Sequence, residues 1–304
     1  MSAIPVIDLA AFRNGNAGSR QTVVKQIYQA CHEIGFMYLQ NPGISLDLIQ
    51  QVFAQSKSFF NLPLAVKQQL AWSQESSNTG YVGIERECLN PNKPGDLKEA
   101  FNVSKAELMC PTSSISPASN SEFLAFFEAC TEIANTVLQV FALALELPFD
   151  FLTTRHNQQH HTLRSLHYPP LQTPAKTGQV RAGEHSDYGS LTLLFQDEVG
   201  GLEVQTTTGD WIASPPIPGM IVVNTGDLMQ RWTNHVFCST KHRVIIPNDS
   251  RVKQSRYSIA FFCHPNDDTE ITCLDSRQEQ PMYPPILAGE YLLQRLQATY
   301  SIAD

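Results

Sequence analysis

Apolar residues recur at helical spacing through the first half of the chain and at alternate positions through much of the second. Val23, Val24, Ile27, Cys31 and Ile34 mark one face of a helix that follows Ser19 and stops at Gly35. Leu48/Ile49, Val52/Phe53 and Phe59/Phe60 predict a second helix over 46–60, ending before Pro63. A third, long helix is predicted over 121–147, closed by Pro148. Residues 4–9 and 36–39 are short apolar runs bounded by turn residues, and predict strands. After Thr162 the texture changes. Runs at 191–195, 202–204, 220–223, 243–246 and 257–262, rich in Val, Ile, Leu, Thr and Phe, alternate with Gly, Pro, Asn and Asp. Many short strands of this kind predict an antiparallel sandwich or barrel. A last helix is predicted over 289–299. The expected class is α+β with a mainly β core, in one domain over 1–304. Its parts are a helix-rich region over 1–161, a β core over 162–275 that carries the function, and a C-terminal helix within 276–304.

Composition narrows the functions open to such a fold. The 304 residues are 42% hydrophobic and 16% charged, which excludes a disordered chain or a coiled coil. The net charge is −8 and basic runs are absent, so nucleic acid and anionic membranes are poor partners and a small molecule is the expected one. The longest apolar stretch, near 137–147, is too short to cross a bilayer and holds Gln139 and Glu146. The N-terminus lacks the basic start and apolar run of a secretion signal. Seven scattered cysteines with no C-x-x-C pair point to a reducing cytoplasm. A monomer is expected.

His185-Ser-Asp187 stands where the strand pattern begins, and residues i and i+2 of an extended segment point to one side. His242, at the start of another strand, supplies a third ligand. Two imidazoles and one carboxylate on neighbouring strands leave adjacent metal positions open, a geometry that suits Fe(II) and oxygen chemistry. His235 is the rival third ligand. Further along, Arg256 and Ser258 share the parity of one strand, and a guanidinium fork beside a hydroxyl suits a carboxylate. Alternation likewise puts Arg164, Leu166 and Tyr168 on one face and His167 on the other. A buried Arg164 needs an anion, either a ligand carboxylate or a neighbouring Asp or Glu.

These pieces in this order resemble the isopenicillin-N-synthase-like family of Fe(II)/2-oxoglutarate oxygenases. The resemblance runs through Ile4 to Asp8, Asn41-Pro42-Gly43, Gly80-Tyr81, Lys98-Glu99, Tyr168-Pro169, His185-Ser-Asp187, Gly200-Gly201-Leu202, Asn224-Thr-Gly-Asp227, His242-Arg-Val244, Arg256-Tyr-Ser258 and the run from Pro285 to Tyr291. It implies a distorted double-stranded β-helix, a jelly-roll or cupin-like core buttressed by N- and C-terminal helices. It implies that His185, Asp187 and His242 bind iron, and that Arg256 and Ser258, with Tyr168 assisting, hold the distal carboxylate of 2-oxoglutarate. The implied activity is O2-dependent hydroxylation, desaturation or cyclisation of a small organic molecule, coupled to conversion of 2-oxoglutarate to succinate and CO2. An oxidase of the same family that uses no 2-oxoglutarate is the alternative, and a metal- or metabolite-binding protein without turnover the distant one. Two departures stand out: Leu166 where the family often has Asn, and Asn234-His235 where it often has Asn-Gly.

For the substrate wall the expected residues are Tyr81, Arg86, Phe101, Arg164 and Phe262. Tyr81 and Arg86 lie in a turn-rich segment over 78–95 that suits a lid. Phe101 lies on an expected strand, and Phe262 has the parity of Arg256 and Ser258. Plain core, or a solvated charge for Arg86, is the competing reading of these side chains.

Overall fold

The structure, a computed structural model, describes residues 4–72, 78–88, 93–110, 120–274 and 280–300. The helices are α1 (Ala10–Asn14), α2 (Ala17–Glu33), α3 (Leu46–Phe60), α4 (Leu64–Gln68), α5 (Lys105–Met109), α6 (Asn120–Ala144), α7 (Asp227–Trp232) and α8 (Ala288–Tyr300). The strands are β1 (Val6–Asp8), β2 (Phe36–Gln40), β3 (Gly80–Val82), β4 (Glu99–Ser104), β5 (Thr162–Tyr168), β6 (Ala182–His185) and β7 (Leu191–Gln196). They continue with β8 (Leu202–Gln205), β9 (Trp211–Ala213), β10 (Met220–Thr225), β11 (His242–Val244), β12 (Arg256–Cys263), β13 (Glu270–Ile271) and β14 (Ile286–Leu287).

The helices start and stop for local reasons. Asn16 caps α2 by accepting from the Ser19 amide, and Ser45 caps α3 by accepting from the Leu48 amide. Gly35, at φ 69, takes the left-handed turn that lets the chain pass from α2 into β2. The long helix α6 ends at Ala144, ahead of the expected 147. Glu146 adopts φ 59 and the Leu147 amide reaches back to the Ala142 carbonyl, closing the helix before Pro148.

A large sheet runs in the order β1-β2-β10-β7-β12-β5-β4-β3, and a smaller one in the order β6-β11-β8-β9. All of these pairings are antiparallel except that of β1 with β2. The period of two splits the large sheet into two faces. One face carries Leu163, Leu193, Tyr257, Ile259 and Phe261 and packs with α2, α3 and α6 in the main core. The other carries Leu166, Tyr168, Val222 and Ala260 and packs with Leu202, Val204 and Val244 of the small sheet. Between the two sheets lies the functional cavity.

Glu99 of β4 shows what the helix-side face demands of a charge. Its carboxylate accepts from Lys67 of α4 at 2.8 Å, from the Tyr81 hydroxyl at 2.6 Å and from His167 Nδ1 at 2.7 Å. Burial pushes this carboxyl up, but the hydrogen bonds from His167, Lys67 and Tyr81 outweigh burial and hold it below its ordinary value. Replacing Glu99 by alanine strands the Lys67 ammonium, and a loss of about 3–5 kcal/mol in denaturant unfolding is expected. A group with a lowered folded-state pKa stabilises above its unfolded value. The Glu99 contribution is therefore complete at neutral pH and disappears as the pH falls below about 4. An acid-unfolding curve unchanged in Glu99→Ala contradicts this.

Candidate functional site

His185 ends β6, His242 begins β11, and the two are direct partners across the small sheet. Asp187 lies two residues beyond His185. Ligand atoms of the three side chains all lie within 4.8 Å of one another. His185 Nε2 is 3.9 Å and His242 Nε2 is 3.7 Å from Asp187 Oδ1. The remaining polar atoms are turned away and occupied. His185 Nδ1 donates to the Gly183 carbonyl at 2.8 Å, and His242 Nδ1 to the Thr240 carbonyl at 3.2 Å. Asp187 Oδ2 accepts from Thr192 at 2.6 Å and from Asn224 at 2.7 Å. One lone pair on each imidazole and one carboxylate oxygen are thus left converging, the arrangement outer hydrogen bonds give a metal site. Burial first, then the neighbouring His242, pulls the His185 imidazole down to about 3, so it is neutral and able to ligate. Burial opposes ionisation of Asp187, but His242, His185, Asn224 and Thr192 prevail and keep it a carboxylate.

The loop carrying Asp187 is held by the Asn224-Thr-Gly-Asp227 turn. The Asp227 amide donates to the Asp187 carbonyl at 2.7 Å. A Cβ on Gly226 would lie 2.4 Å from the Gly189 carbonyl oxygen and 2.9 Å from that of Asp187, so only glycine allows this approach.

Arg256, Ser258 and Tyr168 lie deeper in the same cavity, each almost fully buried. The Arg256 guanidinium stacks over the Tyr168 ring at 4.7 Å and donates to Ser258 at 3.2 Å and to Gln196 at 2.8 Å. Its Nε has no acceptor, and among the described residues no carboxylate pairs with it. A buried, unneutralised guanidinium beside a hydroxyl is a fit for a ligand carboxylate. Two imidazoles and a carboxylate with open positions are likewise a fit for Fe(II).

Strand register sets the order of these groups. Arg256 pairs with Tyr168, Ser258 with Leu166, Ala260 with Arg164 and Phe262 with Thr162. Phe262 also pairs with Thr192, which holds Asp187. Ser258 and the position level with Thr192 are therefore four residues apart along the same strand, so the two groups occupy different levels of one cavity. The cavity, about 830 Å³, continues past Phe262 to His264 and to Leu292, Leu293 and Leu296 of α8. Tyr291 bonds Asp227 at 3.2 Å and Arg295 covers the Tyr188 ring at 4.6 Å, which fixes α8 against the triad loop. Leu293 is 40% exposed, whereas Arg256 is 1% exposed, so among the described residues the cavity reaches the surface beside α8 and is buried at Arg256.

Of the expected substrate wall, Arg164 and Phe262 line the cavity. Arg164 has its anion from the protein: Nη2 donates to Glu87 at 2.6 Å, and Glu87 also pairs with Lys98 at 3.2 Å. Tyr81, Phe101 and Arg86 are corrections. Tyr81 and Phe101 pair across β3 and β4 with their side chains on the helix side, where both rings meet Phe59. Their strand neighbours Val82 and Ala100 have the inward parity instead. Arg86 is exposed in the turn after β3, away from the cavity. In the lid expected over 78–95, positions 89–92 lie outside the described residues. The rival ligand His235 stacks on Tyr283 at 5.3 Å, its Nε2 bonded to the Tyr283 hydroxyl, and stands apart from the triad.

Sequence reasoning misses Thr192, Glu87 and His264, and names Asn224 and Lys98 only as parts of motifs, without a role in the site. Thr192 and His264 carry a readable signal, since each continues an inward parity: Leu194 and Gln196 for the first, Ser258 and Phe262 for the second. Glu87 has no such signal, because it sits in a loop.

Residues 4–119 match the family model described as non-haem dioxygenase in morphine synthesis N-terminal, and residues 158–265 match the 2OG-Fe(II) oxygenase superfamily. The chain is 33% identical to proline hydroxylase buaE of Petromyces alliaceus, over 97% of this chain and 98% of that protein. It is 32% identical to the 2-oxoglutarate-dependent dioxygenase htyE of Aspergillus rugulosus, over 90% of each. Among solved structures, a full-length Neurospora crassa protein in complex with alpha-KG and thymine matches with a TM-score of 0.89 and 33% identity, over 97% of this chain and 96% of that one.

Proposed function

The chain belongs to the 2OG-Fe(II) oxygenase superfamily, and on that premise we propose that His185, Asp187 and His242 hold the iron, while Arg256 and Ser258, with Tyr168, hold the far carboxylate of 2-oxoglutarate. The protein is an oxidoreductase that uses Fe(II), 2-oxoglutarate and O2, on a jelly-roll fold. When bound, Fe(II) would let O2 act as the oxidant, one oxygen atom entering succinate as 2-oxoglutarate loses CO2 and the other serving to oxidise a substrate C–H bond. The observation that carries the residue assignment is the free Oδ1 of Asp187: its other oxygen is tied to Thr192 and Asn224, and the two Nε2 atoms face the free one.

The protein's own work is to bind, orient and exclude water. Thr192 and Asn224 fix the carboxylate plane, and the Gly183 and Thr240 carbonyls fix the imidazole rotation. The substrate sits beyond the triad, between Phe262, Arg164 and Glu87 and the leucines of α8. The charges on this wall pair with one another: Arg164 and Lys98 with Glu87, and Lys98 with Asp96. That balance favours a small polar molecule with no net charge over an acid. The thymine bound by the Neurospora crassa protein and the amino acid implied by the proline hydroxylase name are both of this kind. Hydroxylation is the reaction we assign. His264 adds a polar group to this wall: its ring lines the cavity, and its buried Nδ1 has no hydrogen-bond partner among the described residues. Burial first, then His156, brings this imidazole down to about 4, so it stays neutral at pH 7. We further propose a cytoplasmic location, where seven free thiols stay reduced, and a monomer.

The test is an anaerobic titration of the Fe(II)/2-oxoglutarate protein with thymine, L-proline and acidic analogues, following the metal-to-ligand charge-transfer band. A neutral or zwitterionic compound is expected to shift the band, and Phe262→Ala and His264→Ala to weaken it by about 1–3 kcal/mol each. A band shifted only by acids, or unchanged affinity in both variants, overturns this substrate wall.

A further inference from the structure

Arg181 immediately precedes β6 and is completely buried. Its Nη2 donates to the Gln254 carbonyl at 3.0 Å, two residues ahead of Arg256. Its Nε–H and both Nη1–H groups have no acceptor among the described residues. Its electrostatic neighbours are Arg256, whose charge opposes its own, and Tyr168 and Asp197, which favour it. Asp197 bonds neither guanidinium among the described residues: its Oδ1 accepts from the Val199 amide at 3.0 Å and its Oδ2 from the Tyr257 amide at 2.5 Å, so it offsets their charge only at a distance.

Two buried guanidiniums therefore belong to adjoining segments at this end of the cavity, Arg181 being tied to the carbonyl two residues before Arg256, with unmet N–H groups on both. Charges taken out of water in this way require an anion nearby. Arg181 is not itself on the cavity surface, whereas Arg256, Tyr168 and the adjoining Ala182 are. A side chain needed only to brace the Gln254 carbonyl would require one N–H and no charge.

We propose that Arg181 is a positioning residue for the cosubstrate: its charge, set behind Arg256 and Tyr168, makes this end of the cavity selective for a 2-oxo acid with a second carboxylate. The inference rests on the reading that the Arg256 end takes the distal carboxylate of 2-oxoglutarate. The two like charges oppose one another, and a bound carboxylate relieves both. Arg256 makes the direct contact, and Arg181 adds attraction through water-free protein, where charge acts strongly.

Isothermal titration of the Fe(II)-loaded protein under argon, without turnover, separates the possibilities. The ligands are 2-oxoglutarate and 2-oxobutyrate, which keeps the oxo-acid end and lacks the second carboxylate. In Arg181→Gln a polar amide stays at the position of Nε but the charge is gone, and the 2-oxobutyrate arm reads any general loosening of the site. Affinity for 2-oxoglutarate is expected to fall by about tenfold or more, with that for 2-oxobutyrate unchanged within about twofold. Arg181→Lys keeps the charge and is expected to stay within about threefold of the wild type for 2-oxoglutarate. The proposal is overturned if Arg181→Gln binds 2-oxoglutarate like the wild type, if it weakens both ligands equally, or if Arg181→Lys loses as much as Arg181→Gln. A wild type that does not prefer 2-oxoglutarate, or an Arg256→Ala protein that keeps the preference, instead removes the reading of the Arg256 end on which this rests.

Discussion

Asp187→Ala is expected to bind Fe(II) more than about tenfold more weakly and to lose turnover, because two imidazoles alone hold this ion poorly. His242→Ala is expected to match it. The effect should be graded through the groups that orient Asp187. Thr192→Val or Asn224→Ala leaves all three ligands in place but frees Oδ2, so a loss of about 10–100-fold in metal affinity or activity is expected, short of the ligand deletions. Metal affinity is read by Fe(II) titration under argon and turnover by succinate release. A His242→Ala protein with full activity, beside an inactive His235→Ala protein, would falsify the assignment of the third ligand. The position of His235 against Tyr283 is the reason to expect the opposite.

Arg256→Ala is expected to raise the 2-oxoglutarate KM by the equivalent of roughly 2–5 kcal/mol while Fe(II) still binds, since truncation removes the direct partner of a buried carboxylate. Separability follows from the register: Arg256 is paired with Tyr168, while the residue level with the triad is Phe262. The measurement is succinate production against 2-oxoglutarate concentration, together with an independent iron titration. An unchanged dependence on 2-oxoglutarate would point to the Arg256-Ser258 pair serving a substrate carboxylate. Arg251 offers no substitute anchor, because it is exposed and bound to Asp249 at 2.8 Å.

The pieces of the site that sequence makes legible are those governed by a local period. His185 and Asp187 at i and i+2, Arg256 and Ser258 at i and i+2, and the alternation of Arg164, Leu166 and Tyr168 against His167 each follow from extended backbone alone. The helices over α2, α3 and α8 are legible for the same reason, since each carries a continuous apolar stripe. Alternation says that neighbours on a strand face opposite ways, but it does not say which way is inward. Tyr81 and Phe101 fall to that ambiguity: aromatic rings suit a substrate wall and a helix interface equally, and the register of β4 on β5 gives them to Phe59. Glu87, Asn224, Arg181 and the leucines of α8 reach the site only through contacts distant along the chain, which no local period encodes.

The closed Arg256 end and the opening beside α8 impose a traffic rule. If the Arg256 end holds the diacid, as proposed, the inner ligand would have to pass the triad before anything settled at the outer position, so the diacid would enter first and the substrate would follow. Departure would run in the reverse sequence. A molecule lodged early at the outer position would then obstruct the diacid without touching Arg256, and excess substrate would act as a cork. Variation in α8 can then change which molecules this enzyme accepts while the inner chemistry stays untouched.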